Sequence, residues 1–228
     1  MAEIREIVLD TETTGLYAKS GDKIVEIGCV ELINKVRTGS TFHTYIDPQR
    51  DIPMESFKIH GISAEFVKGK PIFSKIAKDF LDYIGNSQLI IHNAGFDISF
   101  LNYELATIGH PEISFNRVID TLTLARRKHP GAPASLDALC KRFNISLESR
   151  DKHGALIDAE LLALVYVELV GGAQSSLDLA SKKVNVGNSS PVLRERRPAR
   201  SFLASAQEEL EHADLLKGIA NPLWLKNN

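Results

Sequence analysis

The stretch IVLDTETTGL, residues 7–16, decides the fold of this chain. Its apolar start predicts a strand over Ile4–Asp10 that is buried on both faces and ends in an acidic pair. Side chains at positions i and i+2 of a strand share a face, so Asp10 and Glu12 are expected to project together. Two adjacent carboxylates repel each other unless a cation lies between them, and hard oxygen ligands favour Mg²⁺ or Mn²⁺. The alternative is a strand end with solvated acids.

Length and composition set the broad class. The 228 residues are enough for one α/β domain with a sizeable core and an appendage. Acidic residues outnumber Lys and Arg by 29 to 27, whereas a protein that holds DNA by itself is usually basic. If this chain acts on nucleic acid, another component is therefore expected to deliver the substrate.

Cysteine usage and hydropathy predict the compartment. Cys29 and Cys140 lie far apart in apolar surroundings and read as buried free thiols, which argues against a disulfide-stabilised secreted protein. The N-terminus has no signal-peptide core, and no apolar run approaches membrane-spanning length. We therefore expect a cytoplasmic protein.

Apolar periodicity predicts an alternation of strands and helices. Two further strands complete an antiparallel three-strand meander, and a short buried strand follows later, at Lys23–Ile33, Val36–Ile46 and Leu89–His92. Helical spacing predicts six core helices, at Met54–His60, Ile72–Ile84, Phe96–Ile108, Leu122–Lys128, Ser135–Phe143 and Ala155–Val170.

The character of the sequence changes after Gly171. Residues 1–171 are expected to form the folded domain, and residues 172–203, rich in Gly, Ser and charge, to form a flexible linker. Helical order is predicted to return in residues 204–228, where Ser205 and Glu208 fit a capping box. A short amphipathic helix beyond a linker is expected to dock on a partner protein.

Three motifs carry the chemistry: DTETTG at 10–15, HNAGFDISFL at 92–101 and HGALIDA at 153–159. They resemble the three exonuclease motifs of the DEDD superfamily, and the H-x₄-D spacing of the third marks the histidine branch, DEDDh. The resemblance covers Ile4–Val170. It is closest to the proofreading subunits of bacterial replicative polymerases, because the core is short, "HGI" stands at 60–62 and a docking segment follows the linker.

This resemblance implies a fold and an activity. The fold is ribonuclease-H-like, a mixed five-stranded sheet flanked by helices. The activity is 3′→5′ removal of nucleoside 5′-monophosphates with two divalent cations, Mg²⁺ or Mn²⁺. Asp10 and Asp158 would hold the ion that activates water, Asp10 would bridge to the second ion, and Glu12 and Asp97 would complete the set. His153 would be the general base, for which an unperturbed pKa near 6.5 is suitable. An acid in the first turn of a helix, as at Asp97, also stabilises the helix dipole without any catalytic role.

The same resemblance assigns residues near the terminal nucleotide. Glu55 and His60 match positions beside that nucleotide, although isolated His and Glu residues in loops are commonly only solvated. The base pocket would be lined by Thr13, Gly15 and Leu16. Asn93 and Phe96 are further candidates, and Phe96 fits the core equally well.

The segment QSSLDL, residues 174–179, resembles peptides by which bacterial replication proteins hold the sliding clamp. Gln174 would bond at the rim of a cleft that buries Leu177 and Leu179. A chance match in a Ser-rich linker, or an extension of the preceding helix, remains open.

Three functions fit the residues. The leading interpretation is a proofreading DNA exonuclease held to the polymerase subunit by its C-terminal segment. An RNA-trimming DEDDh exonuclease is the second, against which the linker and tail argue. A non-catalytic adaptor is the third, against which the complete set of carboxylates argues.

Overall fold

A five-stranded mixed sheet organises the chain. The computed structural model describes residues 3–147, 153–171 and 204–220. The strands are β1 (Arg5–Thr13), β2 (Ile24–Ile33), β3 (Val36–Tyr45), β4 (Gln88–Ile91) and β5 (Val118–Asp120). Their order is β3-β2-β1-β4-β5; β2 pairs antiparallel with β1 and β3, whereas β4 pairs parallel with β1 and β5. The predicted mixed five-stranded sheet and its three-strand meander are confirmed.

Strand β1 is the centre of the sheet and is buried on both faces, as predicted. Ile7 and Leu9 belong to one apolar cluster and Val8 to another. The strand is longer than the sequence indicates, because β2 continues to pair with it as far as Thr13, opposite Ile24. The predicted end at Asp10 is therefore wrong by three residues, and both acids of the pair lie within the strand.

Helices cover both faces of the sheet. They are α1 (Met54–His60), α2 (Ala64–Val67), α3 (Phe73–Ile84), α4 (Gly95–Thr107), α5 (Thr121–Lys128), α6 (Leu136–Arg142) and α7 (Ala155–Val170). On one face Phe80 of α3 and Phe100 of α4 pack in the cluster of Ile7 and Leu9. On the other, Leu162 and Tyr166 of α7 pack in the cluster of Val8. The sheet thus fixes α4 and α7 on opposite sides of β1.

Two other sequence predictions can be checked here. Cys29 and Cys140 are buried free thiols. Among the described residues, no helix is both long enough and apolar enough to cross a membrane.

A second unit, residues 179–228, is separate from the first, which spans residues 1–178. Its described part contains α8 (Ala206–Lys217). The predicted capping box is present: the Glu208 amide donates to Ser205 Oγ (3.3 Å), and the Ser205 amide donates to Glu208 Oε2 (2.8 Å). Leu210 and Leu215 are each 65% exposed. The predicted linker, the Gln174–Leu179 motif and the last eight residues lie outside the described residues.

Candidate metal centre and substrate cleft

The acidic pair lies in the part of β1 that still pairs with β2 but no longer with β4. Parallel pairing with β4 runs from Glu6 to Val8, so beyond Val8 the β4 side of β1 has no strand partner among the described residues. The Thr11 amide on β1 donates to Asp97 Oδ1 (3.1 Å), and the Thr11 hydroxyl donates to the same oxygen (2.7 Å). Divergence of two parallel strands at their carboxyl ends thus makes room for a carboxylate from α4.

The turn between β4 and α4 delivers Asp97. Asn93 has a φ of 62°, a left-handed conformation that asparagine tolerates better than most residues. The Asn93 amide donates to Asp120 Oδ1 (3.0 Å), and the same oxygen accepts from the Leu122 amide (3.0 Å). Asp120 therefore joins the start of α5 to the turn before α4. Asp97 lies in the first turn of α4 and is buried.

Helix α7 brings the third acid to the sheet through a glycine. Gly28 of β2 is paired with Asp10, and a Cβ built on Gly28 would lie 2.3 Å from Ala155 C and from Leu156 N. Only a glycine allows the backbone of α7 to approach β2 this closely. Asp158, in the first turn of α7, is thereby placed beside β1 and buried.

His153 precedes α7 and reaches the same place. Its amide donates to the Ile59 carbonyl (3.3 Å), which joins this segment to α1. Its Nδ1 lies 3.2 Å from Asp158 Oδ2, and the side chain is 49% exposed. A carboxylate only accepts hydrogen bonds, so Nδ1 is the donor and Nε2 is the basic nitrogen of the neutral ring.

The structure brings the predicted set together. Ligand atoms of Glu12, His153 and Asp158 all lie within 4.8 Å of one another. Asp10 lines one cleft with His153 and Asp158. Residues from three distant parts of the sequence therefore form one acidic centre.

The centre is electrostatically unfavourable without a cation. Burial raises the pKa of Asp10 well above its ordinary value, and the charges of Asp97, Glu12 and Asp158 raise it further. Burial also raises the pKa of Asp97 to about 7, although hydrogen bonds from Thr11 oppose the rise. Crowded carboxylate oxygens with one imidazole are a donor set that a divalent cation fits, and a cation restores the charged forms.

A cleft of about 420 Å³ adjoins the centre. It holds six of the seven residues that the sequence assigns to the terminal nucleotide: Thr13, Gly15, Leu16, Glu55, His60 and Phe96. The seventh, Asn93, lies elsewhere, in the cleft that contains Asp10. Exposed Leu16 and Ile59 give the first cleft apolar walls, and Glu12 belongs to its lining.

His60 lines this cleft and also accepts a hydrogen bond from the backbone. It is buried, and its Nδ1 accepts from the Ile62 amide (3.0 Å). That bond places the proton of the neutral ring on Nε2.

Sequence reasoning missed Asp22, which shapes the loop between Gly15 and Asp22 that lines this cleft. Asp22 Oδ2 accepts from the Tyr17 amide (3.1 Å), and Oδ1 is 3.0 Å from Arg50 Nη1. A Cβ on Gly15 would lie 2.3 Å from Asp22 Oδ2, so a side chain at position 15 would displace this carboxylate. The only signal in the sequence is an acid seven residues beyond the DTETTG motif, which is too weak to identify it.

Comparisons with known proteins agree with this geometry. The family model described as "Exonuclease" matches residues 7–166. The chain is 50% identical over 225 residues to DNA polymerase III subunit epsilon of Rickettsia felis, covering 96% of this chain and 98% of that protein. It is 47% identical over 178 residues to the subunit of the same name of Escherichia coli K12, covering 75% and 73%.

Solved structures show the same fold. Exonuclease X in complex with 5′-overhanging duplex DNA has a TM-score of 0.57 and 28% identity, covering 72% of this chain and 90% of that one. The nuclease domain of 3′hExo, described as a DEDDh family member, has a TM-score of 0.63 at 18% identity, covering 73% and 91%.

The chain therefore belongs to the exonuclease family and is a 3′→5′ exonuclease. The H-x₄-D spacing of its third motif is that of the DEDDh branch. Its relatives at about half identity are the epsilon subunits of bacterial DNA polymerase III.

Proposed function

We propose that the protein removes mismatched nucleotides from the 3′ end of DNA as the proofreading subunit of a replicative polymerase. The observation that carries this proposal is the convergence of Glu12, His153 and Asp158, with Asp10 and Asp97, beside a cleft the size of a small-molecule site. The epsilon subunits that this chain resembles over nearly their whole length support the role in replication.

Two divalent cations, Mg²⁺ or Mn²⁺, fit the centre. Asp10, Glu12, Asp97 and Asp158 would hold them, with Asp10 shared between the two. When bound, such ions lower the pKa of water and stabilise the charge that develops on the phosphate and the leaving oxygen. Asp97 is in turn held by both donors of Thr11, which fixes its carboxylate before any ion arrives.

His153 takes the proton of the attacking water. Asp158 orients the ring through Nδ1, so Nε2 is the nitrogen that accepts the proton. The carboxylate also stabilises the imidazolium that results. The exposed position of His153 lets the proton pass to solvent afterwards.

The 420 Å³ cleft holds the terminal nucleotide. Leu16, Ile59 and Phe96 offer apolar surface for the base, and Glu55 and His60 offer polar groups for the sugar. None of the described residues that line this cleft is Lys or Arg. Cationic side chains of this cleft therefore contribute little to the affinity for the strand, as expected if a polymerase delivers it.

The C-terminal unit provides the tether. Leu210 and Leu215 of α8 are exposed, as expected of a helix that docks in an apolar groove of the polymerase subunit. The Gln174–Leu179 motif would add a weak contact with the sliding clamp, useful mainly because the tail is tethered. A cytoplasmic location follows from this role.

The full chain with Mg²⁺ and 3′-labelled substrates tests the proposal. Release of 5′-mononucleotides, faster from mismatched than from matched DNA ends, is the expected result, because a frayed end enters the cleft without unpairing cost. Preference for RNA of the same sequence would favour the RNA-trimming alternative. No cleavage of any substrate, with metal bound, would favour the adaptor.

A further inference from the structure

Helix α7 carries a metal ligand but has no side-chain cap of its own. It begins at Ala155, and its N-cap residue is Gly154. The first amides of a helix have no partner within the helix and require an acceptor from elsewhere. Here the acceptor comes from the sheet.

Glu26 of β2 supplies that acceptor. Its Oε2 accepts from the Ala155 amide (3.0 Å), across 129 residues of sequence. Its Oε1 lies 2.7 Å from His43 Nε2 on the neighbouring strand β3. Glu26 is 3% exposed and pairs with Glu12 in the register of β1 and β2. Both oxygens of this buried carboxylate are therefore bonded, one to each side.

The position of Glu26 links the two halves of the metal centre. Glu26 lies on β2 directly opposite Glu12 of β1, and its side chain is bonded to the first residue of α7. His153 and Asp158 lie two residues before and three residues after Ala155. Sliding or rotation of α7 relative to β2 would change the distance between Asp158 and Glu12 directly.

We propose that Glu26, held by His43, is a positioning residue that fixes the start of α7 and thereby the spacing of His153 and Asp158 from the acids of β1. This inference rests on the proposed metal-dependent cleavage. Glu26 acts through the ligands: its own oxygens are used by Ala155 and His43.

A role in stability alone does not account for a charged side chain at position 26. It lies close enough to raise the pKa of Asp10, so it adds repulsion to a centre already crowded with acids. An anion at a helix N-terminus offsets part of that repulsion. In spite of the remaining repulsion, the bond from the Ala155 amide to Glu26 fixes the start of α7.

Substitutions at Glu26 separate the effect of side-chain length from the effect of side-chain charge. Glu26→Gln keeps an acceptor for the Ala155 amide at the same distance, and its NH₂ group donates to His43 Nε2 when the neutral ring carries its proton on Nδ1. Glu26→Asp keeps the charge but is too short to reach the Ala155 amide. We expect Glu26→Asp and Glu26→Ala to lower both the Mn²⁺ affinity and kcat by roughly 10–100-fold, as for other groups that orient metal ligands. The Mn²⁺ affinity is measured by calorimetry without substrate. KM for a 3′-end substrate is expected to stay within about twofold, because the nucleotide cleft is untouched, and Glu26→Gln should restore most of both losses.

Glu6 provides the matched control. It is also a buried glutamate of the sheet, 1% exposed, and it accepts from Tyr166 Oη (2.7 Å) in the second half of α7. Glu6→Ala is expected to lower the melting temperature but to leave the Mn²⁺ affinity unchanged.

Equal loss of Mn²⁺ affinity in the Glu6 and Glu26 variants would overturn the proposal, because any destabilisation of α7 would then suffice. Wild-type Mn²⁺ affinity in Glu26→Asp would also overturn it. If Glu26→Ala does not fold, the comparison of Gln with Asp decides alone. Normal metal binding without cleavage by the wild-type chain would contradict the proposed function and leave the positioning result intact.

Discussion

Gly28→Ala tests how the fold delivers α7 to the sheet. The added Cβ would lie 2.3 Å from backbone atoms of Ala155 and Leu156, whereas ordinary contacts begin at 3.4 Å. Helix α7 must therefore retreat by about 1 Å, because backbone cannot rotate away as a flexible side chain does. Overpacking of this kind costs about 1–3 kcal/mol of unfolding free energy. A displacement of about 1 Å in a catalytic group lowers turnover by roughly 10²-fold.

Thermal melts and steady-state cleavage of a 3′-labelled oligonucleotide measure the two effects. For a domain of this size, the expected fall in melting temperature is roughly 2–4 °C per kcal/mol. Gly95→Ala is the control, because a Cβ there meets no atom of the described part of the chain within 4 Å, although Gly95 begins α4, two residues before Asp97. It should leave activity unchanged and stability equal or slightly higher. Wild-type turnover in Gly28→Ala would refute the idea that close approach of α7 to β2 sets the site.

Three further predictions concern protons, the general base and the tail. Because the pKa values of Asp10 and Asp97 are raised in the metal-free fold, Asp97 to about 7, the folded state holds protons that the unfolded chain has released. The unfolding free energy without metal should therefore fall as pH rises from about 4 to about 7, and this loss should be complete once the pH exceeds the folded pKa of Asp97. Saturating Mg²⁺ should stabilise the fold more at about pH 8 than at about pH 5. Melts in EDTA and in Mg²⁺ check this, with Asp97→Asn expected to flatten the metal-free curve; a metal-free melting temperature that climbs over this range would contradict it. His153→Ala should lower turnover by roughly 10²–10⁴-fold with Mn²⁺ affinity retained, and the acidic limb of the pH–rate profile should disappear; an unmoved limb would show that His153 does not move the proton. Deletion of residues 205–228 should leave exonuclease activity intact and abolish co-elution with the polymerase subunit, and co-elution that survives would place the tether elsewhere.

Local patterns in the sequence predict most of the fold. The apolar run before Asp10 identifies the central strand, and the i, i+2 spacing places Glu12 on the same face. The capping box at Ser205 marks the start of α8. These features depend on residues close together in the chain, where periodicity and capping rules apply.

Long-range features could not be predicted in this way. The length of β1 is set by its pairing with β2, so a prediction from the sequence of β1 alone ends the strand too early. Contacts of Gly28 and Glu26 with the start of α7 join residues more than 120 positions apart. A glycine or a glutamate inside a strand has no pattern of its own that names its distant partner.

The sequence identifies the candidate site residues but not the side chains that hold the site in place. Three motifs name the acids and His153, because their spacing resembles a family pattern. The side chains that support the site, Thr11 bonded to Asp97 and Asp22 bonded to the Tyr17 amide, emerge only from the geometry. Their hydrogen bonds depend on how strands diverge and loops fold, which composition does not encode.

Mn²⁺ binding by the full chain, measured by calorimetry in the presence of a nucleoside 5′-monophosphate, tests the central claim most directly. The claim is that β1, α4 and α7 together form a centre for two divalent cations. Two ions per wild-type chain are expected, and Asp10→Asn should lose both because Asp10 is the shared ligand, whereas Leu16→Ala should keep both. An Asp10→Asn isotherm that matches the wild type, with the fold intact, would contradict the account.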